Sequence, residues 1–181
     1  MSCFKLNVNK IMGLLSVLLL LPSCNNSWEQ ELKRLIGQEV VFPTEMAGFY
    51  SGVLGKWDMR QLLDDNHGIV LKVYSEVECK TCIVEKIPDL ALRIKSTMED
   101  IPIVILFPMS IGKEIETISK LSPGIYCLID QDKEFMSKNR FLPKKEVLRT
   151  WLVDSSSHIR VCGDPSGNEK ILDLYKQVLE E

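Results

Sequence analysis

The sequence has no basic stripe, no repeated unit, no low-complexity stretch and no apolar run long enough to cross a bilayer as a mature helix. Each absence removes a class of function. Its 22 lysines and arginines are scattered among 25 acids, which is not the electrostatic footprint of a nucleic-acid binder. Without repeats there is no solenoid or propeller to build. Histidine is scarce, with two in the chain, His67 and His158. His67 stands in Asp64-Asp65-Asn66-His67-Gly68, a composition suited to a tight turn, and no second ligand stands at metal spacing from it. Cys79, Cys82, Cys162 and His158 offer zinc-type donors by composition, but not at the paired spacing of a zinc module. No metal and no cofactor is expected.

The N-terminus reads as a targeting segment over residues 1–23. Lys5 and Lys10 form a basic region, and Ile11 to Leu21 is an almost unbroken apolar run. The run closes on Leu21-Pro22-Ser23-Cys24, which resembles a lipobox. The resemblance implies cleavage before Cys24, diacylglycerol on its sulfur and acylation of the new amine. An ordinary signal peptide with a thiol near its cleavage site is the alternative. Either way Cys3 leaves with the leader. The expected location is the cell envelope, anchored to a membrane through Cys24 and facing the periplasm or the cell surface. Residues 1–23 carry two lysines and no acids, so the remainder has a charge of −5 against −3 for the whole chain. The 158 residues from Cys24 onward are enough for one domain with one core. The compartment is oxidising, so dithiols there can cycle or staple.

Residues 24–68 read as a tether and N-terminal extension. Ser27 with Gln30 makes a capping-box pattern before the stripe Leu32, Leu35 and Ile36, and Gly37 ends that short helix. Val40-Val41-Phe42 reads as a short strand stopped by Pro43. Residues 44–68 give little pattern. From residue 69 to 181 the pattern is regular. A strand over 69–74 precedes a helix from about Cys79 to Met98, with Cys82, Ile83, Ile87, Leu90, Ala91, Ile94 and Met98 at core spacing. Strands follow over 103–107 and 125–129, with a helix from Ser110 between them. A helical turn or two is expected over 132–138. Residues 148–153 and 158–162 make a hairpin, and Ser166 with Glu169 caps a final helix. Such parallel crossovers need helices on both faces of the sheet.

Cys79-Lys80-Thr81-Cys82 is the stretch that carries chemistry. It follows a buried strand and opens a helix, so both sulfurs share one turn. The unpaired N–H groups and positive dipole end favour a thiolate on the first. With this motif and order of elements the chain resembles thioredoxin-like proteins over residues 69–180. The strand near Ile125–Ile129 and the segment Thr150-Trp151-Leu152-Val153-Asp154, followed by a strand ending in Cys162-Gly163, resemble the redoxin branch, which includes the peroxiredoxins and thiol-disulfide oxidoreductases. The implied fold is α/β, a central mixed sheet flanked by helices. The implied roles are attack by Cys79 and resolution by Cys82, on protein or small-molecule thiols and disulfides.

The chain departs from the family at three points. Glu78 replaces the tryptophan usually found before the motif, and with Glu76 it opposes a thiolate. Pro88 stands one residue later than the helix proline of thioredoxin. Arg149 occupies the place of the cis-proline, and a cis bond before a non-proline residue costs about 3–4 kcal/mol, so a trans bond is expected. Peroxiredoxins often carry an arginine at this place, where it stabilises thiolate and peroxide. Arg149 is thus either an electrophilic partner for Cys79 or Cys82 in a thiol peroxidase, or a surface residue at a strand end. The peroxiredoxin P-x-x-x-T-x-x-C pattern is only echoed, as Ser75, Cys79 and Cys82. Cys162 is a candidate third thiol on the rim of the site, with a buried structural thiol as the alternative. Cys127 reads as core. A structural Cys79–Cys82 disulfide and a non-catalytic binding module remain open readings.

Overall fold

The computed structural model describes residues 27–75, 80–107 and 113–180. Its elements are α1 (Ser27–Leu35), β1 (Met46–Tyr50), β2 (Val53–Trp57), α2 (Met59–Asp64), β3 (Gly68–Val73), α3 (Lys80–Lys95), β4 (Ile103–Phe107), α4 (Lys113–Leu121), β5 (Ile125–Ile129), α5 (Glu134–Lys138), a 3₁₀ turn (Glu146–Leu148), β6 (Thr150–Asp154), β7 (Ile159–Cys162) and α6 (Glu169–Leu179). Seven strands form one mixed sheet in the order β2-β1-β5-β4-β3-β6-β7. β3, β4 and β5 are parallel, while β1 and β6 flank them antiparallel.

Every residue of β3 and β4 is buried, as an apolar strand covered on both faces requires. Alternate side chains divide the core. On one face Val70, Ile105, Leu152 and Val161 pack against Ile83, Ile87, Leu90 and Ile94 of α3, Ile115 and Ile118 of α4, and Tyr175 of α6. On the other face Leu71, Leu106, Trp151 and Ile159 meet Leu35 of α1, Met59 and Leu63 of α2, and Phe135 of α5. The α/β layering expected from the sequence is therefore present.

Three local expectations are corrected. Residues 40–42 form no strand; an isolated Glu39–His158 bridge lies just before them. The reason is the buried Asn139 side chain. Its Oδ1 accepts from Val41 N at 2.9 Å and its Nδ2 donates to Val41 O at 2.8 Å, so an amide side chain takes the place of a neighbouring strand. The final helix is capped by Asn168, whose Oδ1 accepts from Lys170 N and Ile171 N. Ser166 instead donates from its backbone N and its hydroxyl to Asp164. Residues 44–68, unreadable in sequence, supply the β1–β2 hairpin and α2 to the same sheet and core. Ser51 and Gly52 both have positive φ, 49° and 80°, and join the paired residues Tyr50 and Val53. That is the two-residue turn matching the twist of a hairpin. Tyr50, Trp57 and Tyr126 pack ring to ring and hold the hairpin to β5.

Candidate functional site

The parallel strands all deliver their C-terminal ends to one edge of the domain, the place where open α/β sheets hold ligands. At the tip of β3, Tyr74 N donates to Leu106 O at 2.9 Å, and the Tyr74 ring stacks on Phe107 at 5.5 Å. These contacts fix the path of the chain as it leaves the strand at Ser75. Helix α3 starts again at Lys80. Cys79 lies outside the described residues, as do Cys24, Glu76 and Glu78.

Cys82 sits in the first turn of α3 and is exposed. The sequence reading put it on the core face, and this is a correction. The buried stripe of α3 runs through Ile83, Ile87, Leu90 and Ile94. One residue is a rotation of about 100° on a 3.6-residue helix, so Cys82 precedes the stripe and turns outward. Its sulfur is reachable from solvent.

Arg149 directly precedes β6, where Thr150 is register partner to Lys72 of β3. All peptide bonds among the described residues are trans. The guanidinium donates from Nε to Pro143 O and from an Nη to Lys144 O, each at 2.7 Å. It lines a small cleft of about 140 Å³ with Val73, Tyr74, Ser75, Met136, Leu142, Pro143 and Lys144. Arg149 is therefore beside the strand exit that leads to the motif, with two of its donors spent on the loop before it.

Cys162 is register partner to Trp151, which pairs in turn with Leu71. The sulfur thus lies at the motif end of the sheet. Its side chain, however, belongs to the core face opposite α3. It is buried and donates to Leu148 O at 3.2 Å, the same carbonyl that accepts from Trp151 Nε1 at 2.6 Å. Burial pushes its pKa up to about 12, a hydrogen bond with Trp151 pulls the other way, and the Glu31 carboxylate adds to the rise. Burial alone takes Cys127 to about 12. Neither forms an appreciable thiolate near neutral pH, so neither has the nucleophile that exchange needs. His158 stands before the start of β7 and Cys162 at its end, which separates the zinc-type donors the composition offered.

This sorting of sulfurs has a direct test. In reduced protein at about pH 8, a thiol reagent should modify the motif within minutes, and Cys127 and Cys162 only after denaturation. Peptide mapping reads the order. Native modification of Cys162 as fast as Cys82 would contradict the burial argument.

The sequence reading missed a buried ion pair near this end of the sheet. Lys72 alternates with Val70 and Tyr74, so it points to the α3 face. Its Nζ lies 2.8 Å from Asp164 Oδ2 and 5.5 Å from the Tyr74 ring centre, with the lysine side chain 4% exposed. Burial raises the Asp164 carboxyl, but Lys72 and the bonds from Ser166 outweigh it and hold its pKa below the ordinary 3.8. Tyr175 Oη donates to Gly163 O at 2.9 Å beside the pair. The signal available was Lys72 itself, a charge inside an otherwise apolar strand.

No protein-family profile and no curated sequence matches the chain. Solved structures do. A mitochondrial 2-Cys peroxiredoxin from Plasmodium falciparum superposes with a TM-score of 0.55 at 13% identity, covering 81% of this chain and 95% of its own. AhpC from Enterococcus faecalis gives 0.53 at 13% identity, over 80% and 92%. The thioredoxin domain of a thiol-disulfide oxidoreductase from Bacteroides vulgatus gives 0.51 at 13% identity, over 80% and 96%. The sheet order, the helices on its two faces and these superpositions together identify the fold as thioredoxin-like.

Proposed function

We propose that the chain is a lipid-anchored thiol-disulfide oxidoreductase of the cell envelope, working through Cys79 and Cys82. The observation that carries this reading is the exposed Cys82 in the first turn of the helix that follows β3. A dithiol at that position gains from unpaired helix N–H groups and remains open to a partner.

The Cys79 thiolate attacks one sulfur of a substrate disulfide. An S–S bond forms between enzyme and substrate, and the other substrate sulfur leaves as a thiolate that takes up a proton. Cys82, as thiolate, then attacks Cys79. The enzyme disulfide forms and the second substrate sulfur departs. Substrate gains two electrons and the dithiol loses two, and the reverse order oxidises a substrate dithiol.

Redox titration of the full-length protein in glutathione buffers, read by alkylation of the motif, tests this. The expected result is a single two-electron transition that Cys82→Ser abolishes, with Cys82→Ser and its mirror Cys79→Ser still folded by circular dichroism. A motif that stays oxidised across the whole buffer range is a structural staple and ends the proposal. A thiol peroxidase, the alternative reading, would use Arg149 of the strand-exit cleft at the thiol, and Arg149→Ala would then strongly slow consumption of hydrogen peroxide.

A further inference from the structure

The orientation of α1 bears on where this site works. Gly37, just past the helix, donates to Ile159 O at the start of β7. Glu31, a turn earlier than Leu35, is close enough to Cys162 at the end of β7 for its charge to bear on that thiol. α1 therefore runs against the direction of β7, and its N-terminus lies at the motif end of the sheet.

Residues 25 and 26 alone separate Cys24 from Ser27. Three peptide steps span at most about 11 Å in any conformation. A lipid on Cys24 therefore holds this end of the domain within about a nanometre of the bilayer, whatever path those residues take.

The surface there suits the neighbour. Lys33 and Arg34 of α1 and Arg140 and Lys144 of the loop after α5 line a cleft of about 400 Å³, with Glu31 the sole carboxylate among its lining residues. None of the four cations makes an ion pair among the described residues, in a chain that is net acidic. Leu142 and Lys144 also line the cleft that holds Ser75 and Arg149, so the cationic surface is continuous with the strand exit. Trp28, at the start of α1, is 46% exposed, a ring of the kind that settles at membrane interfaces.

We propose that the α1 end of the domain docks on an anionic phospholipid surface through Lys33, Arg34, Arg140 and Lys144, so that the dithiol faces the bilayer and serves partners held in or at that membrane. This rests on the reading of Cys24 as the lipid anchor.

The test places the full-length lipidated protein in vesicles of phosphatidylcholine with or without phosphatidylglycerol. Alkylation of the motif is followed with a small maleimide and with one carrying a long polyethylene glycol chain. With phosphatidylglycerol the large reagent should slow by about tenfold or more, the equivalent of about 1.4 kcal/mol, while the small one is unchanged. Charge reversal of the four cations to Glu should restore access. If that variant does not fold, about 1 M salt, which shortens screening to about 3 Å, should restore access to the wild-type protein. Equal rates for the large reagent with and without phosphatidylglycerol overturn the proposal. So does shielding indifferent to both salt and charge reversal, and so does protein that stays in the aqueous phase. Where the motif stays oxidised and offers no thiol, the same two reagents are read at a Lys145→Cys thiol, exposed beside the patch, so failure of the redox proposal and failure of this one are told apart.

Discussion

Asp164→Ala will destabilise the protein by about 3–5 kcal/mol, and adding Lys72→Met will recover most of that loss. Removing the carboxylate leaves an ammonium whose side chain is 4% exposed with no counter-charge at 2.8 Å. Desolvation then opposes the folded state without compensation. Methionine at position 72 removes the charge and keeps the volume among Val70, Tyr74 and the α3 face, so the pair can be replaced where it cannot be halved. Urea denaturation of the wild-type protein, both single variants and the double variant gives the cycle. Additive single effects would show that the two groups do not interact. The pH dependence has a defined sign. The folded Asp164 pKa lies below its ordinary 3.8, so its contribution is complete above that value and disappears as pH falls through the depressed one. Acid unfolding of the double variant should therefore be shallower below about pH 4 than that of the wild type.

Gly48→Ala will cost about 3 kcal/mol, with the damage concentrated in the β1–β2 hairpin. A Cβ on Gly48 would collide with the Cys127 carbonyl oxygen and come within 2.8 Å of Leu128 Cα, both backbone atoms of β5. Backbone cannot yield as a flexible side chain does, so β1 must lift from β5. Amide exchange should then accelerate over residues 46–57 far more than in β3 or β4. Gly167→Ala is the control, because nothing lies within 4 Å of a Cβ there and its φ is not in the left-handed region. Gly167→Ala should be neutral or slightly stabilising, since it restricts the unfolded chain without a clash, and equal costs at the two positions would show that the collision does not set the effect.

These two sites also mark where the sequence was readable. Strands β3 and β4 were legible because they are buried on both faces and therefore apolar without interruption. The helix stripe from Ile83 to Ile94 was legible for the same reason. The hairpin was not. Gly48 is demanded by the close approach of β5, and Gly55 faces it across the pair, so the alternation that announces a strand is broken at its centre. Ser51-Gly52 between Tyr50 and Val53 was the clue that stood in the sequence. At the site, the motif and its place after β3 were legible, but the phase of Cys82 was not, since one residue of shift separates core from solvent. Lys72 stood out as a charge in an apolar strand, but its partner Asp164 was not legible because 92 residues separate the two.

The antiparallel bonds from residues 37–40 to residues 157–159, with Val41 gripped by Asn139, have a mechanical consequence. They weld the first helix to the edge of the sheet along several successive carbonyls and amides. A pull on the chain ahead of Ser27 cannot swivel that helix alone; it torques the whole seven-stranded slab. Whatever fixes the angle of the leading coil thereby aims every strand tip in the molecule.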